Sequence, residues 1–426
     1  MRYSEWKTVE LKEVIDFNPR ESLPKNELAK KIAMEKIKPF SKVIDDYEIT
    51  EFKGGAKFRN GDTLLARITP CLENGKTSQV TLLGDNEVGF GSTEYIVMRK
   101  KTGITDDDYV FYLAISPSFR EVAIKSMVGF SGRQRVQQDE LENLKINLPL
   151  LPEQKAIAAT LSCLDDKIEL NNCMNKTLEE IAQAIFKSWF VDFEPFQDGE
   201  FEESELGLIP KGWNVGTLDE LIENTIGGDW GKENEQGNYS EEVVCIRGTD
   251  IPEIAMGKSG RPPVRFILKK NLEKKQLFKD QIIIEISGGS PTQSTGRTAL
   301  ITNELLQSYD NPLICTNFCR ALSFKKKEFS AFAYSLMQYL YKRDIFFLYE
   351  NGTTGIKNLD TGNLFGKHRI IIPDENTLKE YYELYHALLK SIYDNGFQAD
   401  KLSTIRDTIL PKLMSGEIRV PIEEVK

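Results

Sequence analysis

The residues of this chain best suited to chemistry lie in four loops, and they are types that hold nucleic acid rather than types that break bonds. Arg67, Thr69, Asn74 and Lys76 fall within residues 67–76, and Arg133, Gln134 and Arg135 close residues 129–135. In the second half of the chain, Ser290, Thr292, Gln293 and Arg297 occupy the glycine-rich residues 287–297, and Thr353, Lys357 and Asn358 occupy residues 351–358. An arginine can bond guanine O6 and N7 together, a glutamine or asparagine can do the same to adenine, and Ser, Thr and glycine amides can hold phosphates. The same residue types are common in plain surface turns, so the loops alone leave both readings open.

Competing catalytic patterns are incomplete. Asn74-Gly75-Lys76-Thr77 has the end of a phosphate-binding P-loop, but Pro70 stands where its first glycine is needed. Gly89-Phe90-Gly91 lacks the third glycine of a dinucleotide fingerprint. Asn311-Pro312-Leu313-Ile314 has neither the second proline nor the aromatic of the tetrad that holds a flipped adenine. With His368 and His386 the only histidines, His-rich metal sites and most triads are excluded, and the strand-like setting of Cys315 and Cys319 disfavours a metal pair. No catalytic residue, metal or cofactor is expected in this chain.

The 426 residues and 48.5 kDa allow two or three domains, each with its own core. Six irregularly spaced cysteines do not make a disulfide framework, which points to a reducing compartment. No run approaches the roughly 18 apolar residues that span a bilayer, so a cytoplasmic protein without membrane contact is expected. The net charge of -10 argues superficially against a DNA partner. Its acid is concentrated, however, in Asp192, Glu194, Asp198, Glu200, Glu202, Glu203 and Glu205 and along Asp165, Asp166, Glu169, Glu179 and Glu180. Basic groups gather elsewhere, as in Lys57-Phe58-Arg59 and Arg133-Gln134-Arg135, so charge permits DNA contact without demonstrating it.

The elements that carry the loops are written twice. The stretch after Trp6 returns after Trp213, where Leu11, Glu13, Val14 and Ile15 match Leu218, Glu220, Leu221 and Ile222. Leu148-Pro149 returns as Ile372-Pro373, and Leu178, Ile181 and Ile185 as Leu402, Ile405 and Ile409. Within each copy, apolar runs such as residues 63–66, 95–98 and 281–286 read as buried strands. After Pro152, the residues Ile157, Leu161, Leu164, Ile168, Asn171, Asn175, Leu178, Ala182, Ile185 and Trp189 alternate spacings of four and three. Tyr381, Tyr385, Leu388, Ile392, Asn395, Ala399, Leu402, Arg406, Ile409 and Leu413 repeat that heptad seam.

A narrow seam wants one partner helix, and each copy supplies one for the other. Asn171 and Asn395 sit at equivalent places, where buried amides penalise wrong registers. They predict an antiparallel intramolecular pair, with a helix break beside Gly396 as the alternative. Pro411 is expected to end or kink the second helix. A rod over residues 157–189 is roughly 50 Å long, which suits holding two blocks against half-sites about one DNA turn, roughly 34 to 36 Å, apart. The predicted fold is therefore two mixed α/β recognition domains separated by long helices in an antiparallel coiled coil, with an internal pseudo-twofold repeat. Its segments are recognition domain 1–148, helical region 149–192, acidic linker 193–210, recognition domain 211–373 and helical region 374–426.

Three segments carry a family resemblance. Leu148-Pro149-Leu150-Leu151-Pro152-Glu153-Gln154-Lys155-Ala156-Ile157, residues 164–171 and Ala184-Ile185-Phe186-Lys187-Ser188-Trp189-Phe190-Val191-Asp192-Phe193 resemble the central conserved region of the specificity subunit of type I restriction-modification enzymes. Residues 206–213 resemble that family's entry into its second recognition domain, and residues 409–418 its distal conserved region.

The resemblance implies that each variable block recognises half of a split site in double-stranded DNA. It further implies that the helices dock two modification subunits, which bind S-adenosylmethionine and methylate adenine, and that restriction motor subunits join to cleave. S-adenosylmethionine, ATP and Mg would then belong to partner subunits. One departure is Ile372-Pro373-Asp374-Glu375-Asn376-Thr377-Leu378, which lacks the Pro-Glu-Gln of the first copy and bears on how equally the two helical blocks meet their partners. The alternatives are a coiled-coil DNA-binding adapter without restriction activity and a phosphate-handling enzyme built around Lys76 or Arg297.

Overall fold

Strands Thr63–Ala66 and Ile282–Glu285 are buried along their whole length because each is an inner strand of a four-stranded antiparallel sheet. In the computed structural model, residues 5–130, 132–290, 293–352 and 356–421 are described. They form two units, one reaching to Lys167 and resuming at Leu402, the other spanning Ile168–Lys401.

Each unit repeats one strand plan. The first orders its main sheet as Ile15–Phe17, Tyr95–Lys100, Thr63–Ala66 and Thr77–Gln79; the second as Ile222–Gly227, Cys319–Phe324, Ile282–Glu285 and Thr298–Leu300. Register agrees as well, with Ala66 opposite Tyr95 in one and Glu285 opposite Cys319 in the other. A second sheet in each contains a parallel pair, Leu28–Ile32 with Gly89–Gly91 and Tyr239–Ile246 with Leu313–Cys315. A short ladder completes each unit, joining Lys7–Glu10 to Lys145–Leu148 and Asn214–Gly216 to Ile370–Ile372.

The two long helices are unbroken, at 40 residues for Leu151–Phe190 and 41 for Glu375–Ser415. They run antiparallel within each unit. In the second unit Asn171 Nδ2 donates to the Asn395 carbonyl (3.2 Å) and to Gln398 Oε1 (2.9 Å), while Asn175 Nδ2 donates to the Ile392 carbonyl (2.8 Å). Asn395 Nδ2 returns a bond to Asn175 Oδ1 (3.0 Å), so the mid-seam amides bond one another as register-setting residues should. In the first unit Arg406 pairs with Asp165, and Ile157, Ala158 and Leu161 share a core with Leu410, Leu413 and Met414.

Several expectations change. The seam is not narrow: Ile157, Leu161, Ala182, Tyr385 and Ile392 are buried, but so are Gln154, Asp165, Phe186 and Phe190, whereas Leu164, Ile168, Leu178, Ile185, Trp189, Leu388, Leu402 and Ile409 are half-buried. The stripe widens because each helix packs on α/β elements of its unit as well as on the other helix. Pro411 does not end its helix, which continues to Ser415. The ring deletes one backbone bond, but Leu410, Leu413 and Met414 bury the last turn. Residues 193–210 are folded rather than a bare linker. They form the 3-10 turn Glu194–Phe196 and the hairpin Phe201–Ser204 with Gly207–Pro210, and Phe193 and Phe196 pack on Trp213 at 5.6 and 5.0 Å.

Gly396 is no helix break. A Cβ there would lie 2.1 Å from the Gly257 carbonyl, and Gly257, at φ +73, faces the Ile392 carbonyl in the same way. Both glycines serve a close backbone approach. Gly396→Ala is expected to lower stability by about 1 to 3 kcal/mol through overpacking; an unchanged urea midpoint would show that the turn at Gly257 is free to retreat.

The missing Pro-Glu-Gln of the second copy has a local equivalent. Glu153 and Gln154 are fully buried; Glu153 accepts the Trp6 indole N–H (3.2 Å), and Gln154 holds the backbone at Ile104, Asp106 and Pro149. In the second copy Asp374 accepts the Trp213 indole N–H (3.0 Å) and also the amides of Asn376 and Thr377. Among the described residues, no helix is long and apolar enough to cross a membrane.

Candidate nucleic-acid interface

The four loops singled out from sequence become two surfaces, because backbone pairing joins them two by two. In the first unit Val128 and Arg135 exchange backbone bonds of 3.0 and 2.9 Å, closing a hairpin. The Thr69 amide donates to the Gln134 carbonyl (3.0 Å) and the Val136 amide to the Arg67 carbonyl (2.8 Å), fixing that hairpin to residues 67–69. In the second unit Ser287–Gly288 pairs antiparallel with Lys357–Asn358, and Glu350–Asn351 pairs with Asn358–Leu359 of the same strand. The Thr295 amide donates to Glu350 (2.5 Å), and Ser287 Oγ donates to Asn358 Oδ1 (2.5 Å).

Beside each surface lies a cleft. That of the first unit, about 570 Å³, is lined by Asn18, Arg20, Lys57, Arg67, Thr93 and Tyr95 among others. That of the second, about 660 Å³, includes Trp230, Arg247, Glu285, Gln293, Arg297 and Phe318.

The individual candidates differ in what they have left to offer. Arg133 and Asn74 are exposed, and Gln134 is half-buried. Thr69 Oγ1 donates to Glu73 (2.9 Å). Lys76 Nζ donates to the Met34 carbonyl (2.8 Å), and Thr77 opens a strand where a P-loop would open a helix. Ser290 donates its amide to the Gln293 carbonyl (2.8 Å). Lys357 pairs with Glu350 at 2.7 Å. Arg135 and Arg297 form two-pronged pairs with Glu94 and Glu285. Thr292 and Thr353 lie outside the described residues.

Sequence reasoning missed the carboxylates. Glu94, held below the usual carboxylate range chiefly by its bond to Arg135, and Glu285, 4% exposed, both organise cations at the surface. Glu285 did carry a signal, being the one charge at the end of an isoleucine run. Arg247, braced by Asp250, and the half-exposed aromatics Trp230 and Phe318 were missed too. Trp230 is presented on a clamped turn: a Cβ on Gly228 would lie 2.0 Å from the Thr316 carbonyl, and the Arg265 guanidinium sits 4.0 Å from the indole centre.

These surfaces offer donors, acceptors and ring faces. Nucleophilic groups nearby are muted, since burial pushes the Cys245 and Cys319 thiols up to about 12.

Two like α/β units, each with paired loops at one sheet end and a segment of each long helix, make this a duplicated protein. The model of the type I restriction modification DNA specificity domain matches residues 3–180 and again 210–393, so the chain belongs to that family. Among its relatives, the type I restriction enzyme MjaIX specificity subunit of Methanocaldococcus jannaschii is 30% identical over 75% of this chain and 71% of its own. The HindI specificity subunit of Haemophilus influenzae is 26% identical over 87% and 90%. The crystal structure of a type I restriction-modification S subunit from M. genitalium shares the fold at TM-score 0.54 and 16% identity over 96% of each chain.

Proposed function

We propose that each unit of this specificity subunit reads one half of a bipartite site in double-stranded DNA, while the long helices set the gap and dock two modification subunits. The observation that carries this reading is the pairing of loops, far apart in sequence, into one surface beside equivalently placed strands of both units. Loops of equal placement and different sequence are what two readers of different half-sites require. Leu170, Met174 and Ile181 form an exposed apolar face on the first long helix, which supports partner docking there. Adenine methylation, with S-adenosylmethionine, and restriction, with ATP and Mg, fall to partner subunits in this reading. The acidic helices then need not touch phosphates.

Exchanging residues 1–148 for the corresponding block of a relative is expected to change one half-site of the motif found by genome-wide mapping of methylated adenines. A change in both halves would end the modular reading. Inserting one heptad in each helix should alter the tolerated gap, and an unchanged gap would remove the helices as a ruler. A coiled-coil adapter without restriction activity predicts no change in methylation when the chain is deleted.

A further inference from the structure

We infer that Arg135 and Arg297 are the guanine-reading residues of the two units, each aimed by a carboxylate that occupies one side of its guanidinium. The inference rests on the half-site reading above and names the base that each surface takes.

A guanidinium offers two forks of parallel N–H groups: Nε with one Nη on its side, and the two Nη at its end. In Arg297 the side fork is spent on Glu285, with Nε 2.9 Å from Oε2 and Nη2 2.6 Å from Oε1. Arg135 does the same with Glu94, Nε lying 2.9 Å from Oε2 and Nη2 2.7 Å from Oε1. Among the described residues, neither end fork has a partner. That fork matches guanine O6 and N7 in the major groove, and the carboxylate has already removed the rotamer freedom that docking would cost.

Other arginines near these surfaces fail one condition or the other. Arg247 is braced by Asp250 but also commits Nη2 to the Arg261 carbonyl (3.0 Å). Arg99 spends its side fork on Asp62 and Nη1 on Glu21. Arg67 borders its cleft without a carboxylate pair among the described residues.

The bracing acids are themselves built in. A Cβ on either Gly248 or Gly288 would come within 2.6 Å of Glu285 Oε1, so both glycines make room for the carboxylate. Glu94 adjoins Tyr95, and Glu285 pairs with Cys319, the residue that holds the place of Tyr95 in the second sheet. Glu94, in the turn that opens one strand, and Glu285, at the end of another, thus stand at the same end of equivalent sheets. A shared position reached by different residues indicates a shared task. Glu94 and Glu285 are positioning residues, and Arg135 and Arg297 make the base contact.

The test maps methylated adenines in cells carrying the complete complex, with half-sites assigned to units by the block exchange above. A guanine is expected in each half-site. Arg297→Lys keeps the charge and loses the fork; discrimination at that guanine is expected to fall about tenfold or more, with the other half-site unchanged. Arg135→Lys is expected to relax the first half-site alone, and because Glu94 is partly exposed, this variant carries little folding cost. Glu285→Gln is expected to weaken the same guanine preference as Arg297→Lys without changing the salt dependence of duplex binding.

A half-site without guanine overturns the inference, as does a lysine variant that leaves discrimination intact. So does uniform weakening at all sites with a shallower salt dependence, which marks a phosphate contact. A motif that is not bipartite, or that does not depend on this chain, would instead overturn the half-site reading itself.

Discussion

Arg406→Met is expected to cost about 3 to 5 kcal/mol of unfolding free energy, the size seen when one member of a buried ion pair is removed. Arg406 and Asp165 are 9% and 8% exposed, with Nη1 of the arginine 2.6 Å from the carboxylate. The second carboxylate oxygen accepts the Tyr112 hydroxyl at 2.7 Å. Removing the cation leaves Asp165 buried with that one neutral donor, and burial penalises an unpaired charge far more than it rewards the pair. Asp165→Leu combined with Arg406→Met should recover most of the loss. Urea unfolding of both single variants and the double variant closes the cycle. A single variant within 1 kcal/mol of the parent would mean that water reaches the pair and screens it.

Phe186→Ala is expected to have an effect of similar size in the other unit, about 3 to 5 kcal/mol. Phe186 is 1% exposed, and its ring centre lies 5.3 Å from that of Phe190, 5.6 Å from Tyr339, 6.0 Å from Phe332 and 6.3 Å from Tyr381. Deleting the ring removes its transfer free energy and leaves a cavity that neighbouring aromatics, themselves held by one another, fill only partly. A chain of two units need not unfold in one step, so hydrogen exchange is the better measurement. Protection is expected to fall across residues 168–190 and 375–401 for Phe186→Ala, and across residues 151–167 and 402–415 for Arg406→Met. The opposite assignment would contradict the division of cores between the units.

The aromatic core around Phe186 also accounts for part of the family resemblance. Residues 184–193 carry Phe186, Trp189, Phe190 and Phe193, and all four join the aromatic core of the second unit with Trp213 and Tyr381. Likewise Glu153 and Gln154 hold the first unit to the start of its long helix. Much of what marks the family in this chain is therefore packing within the chain.

The central strands at 63–66, 95–98 and 282–285, the long helices, their antiparallel pairing and the duplication were legible in the sequence. Each is announced by local periodicity or by repetition, and local burial obeys the same spacing wherever the chain folds. Residue types in the loops were legible too, because turn chemistry and DNA-binding chemistry draw on the same small set. Contacts between distant residues were not. Nothing near Asp165 in sequence marks it for Arg406: Asp165 reads as an ordinary helix charge and Arg406 as a polar residue of the heptad seam, until two helices bring them into one dry space. Gly396 left a helix break open as an alternative because its need for a close approach depends on Gly257, and residues 193–210 read as a linker because their acids outnumber the two phenylalanines that pack on Trp213.

The interface divides along the same line. By itself, the sequence determined that Arg135 and Arg297 stand in glycine-rich loops and carry the right donors. Only the tertiary structure decided that Glu94 and Glu285 take one side of each guanidinium, while Lys76 and Lys357 are drawn to other oxygens. A hydrogen bond is set by a few tenths of an ångström and a direction, and those follow from which strands lie side by side, a matter that spacing along the chain does not encode.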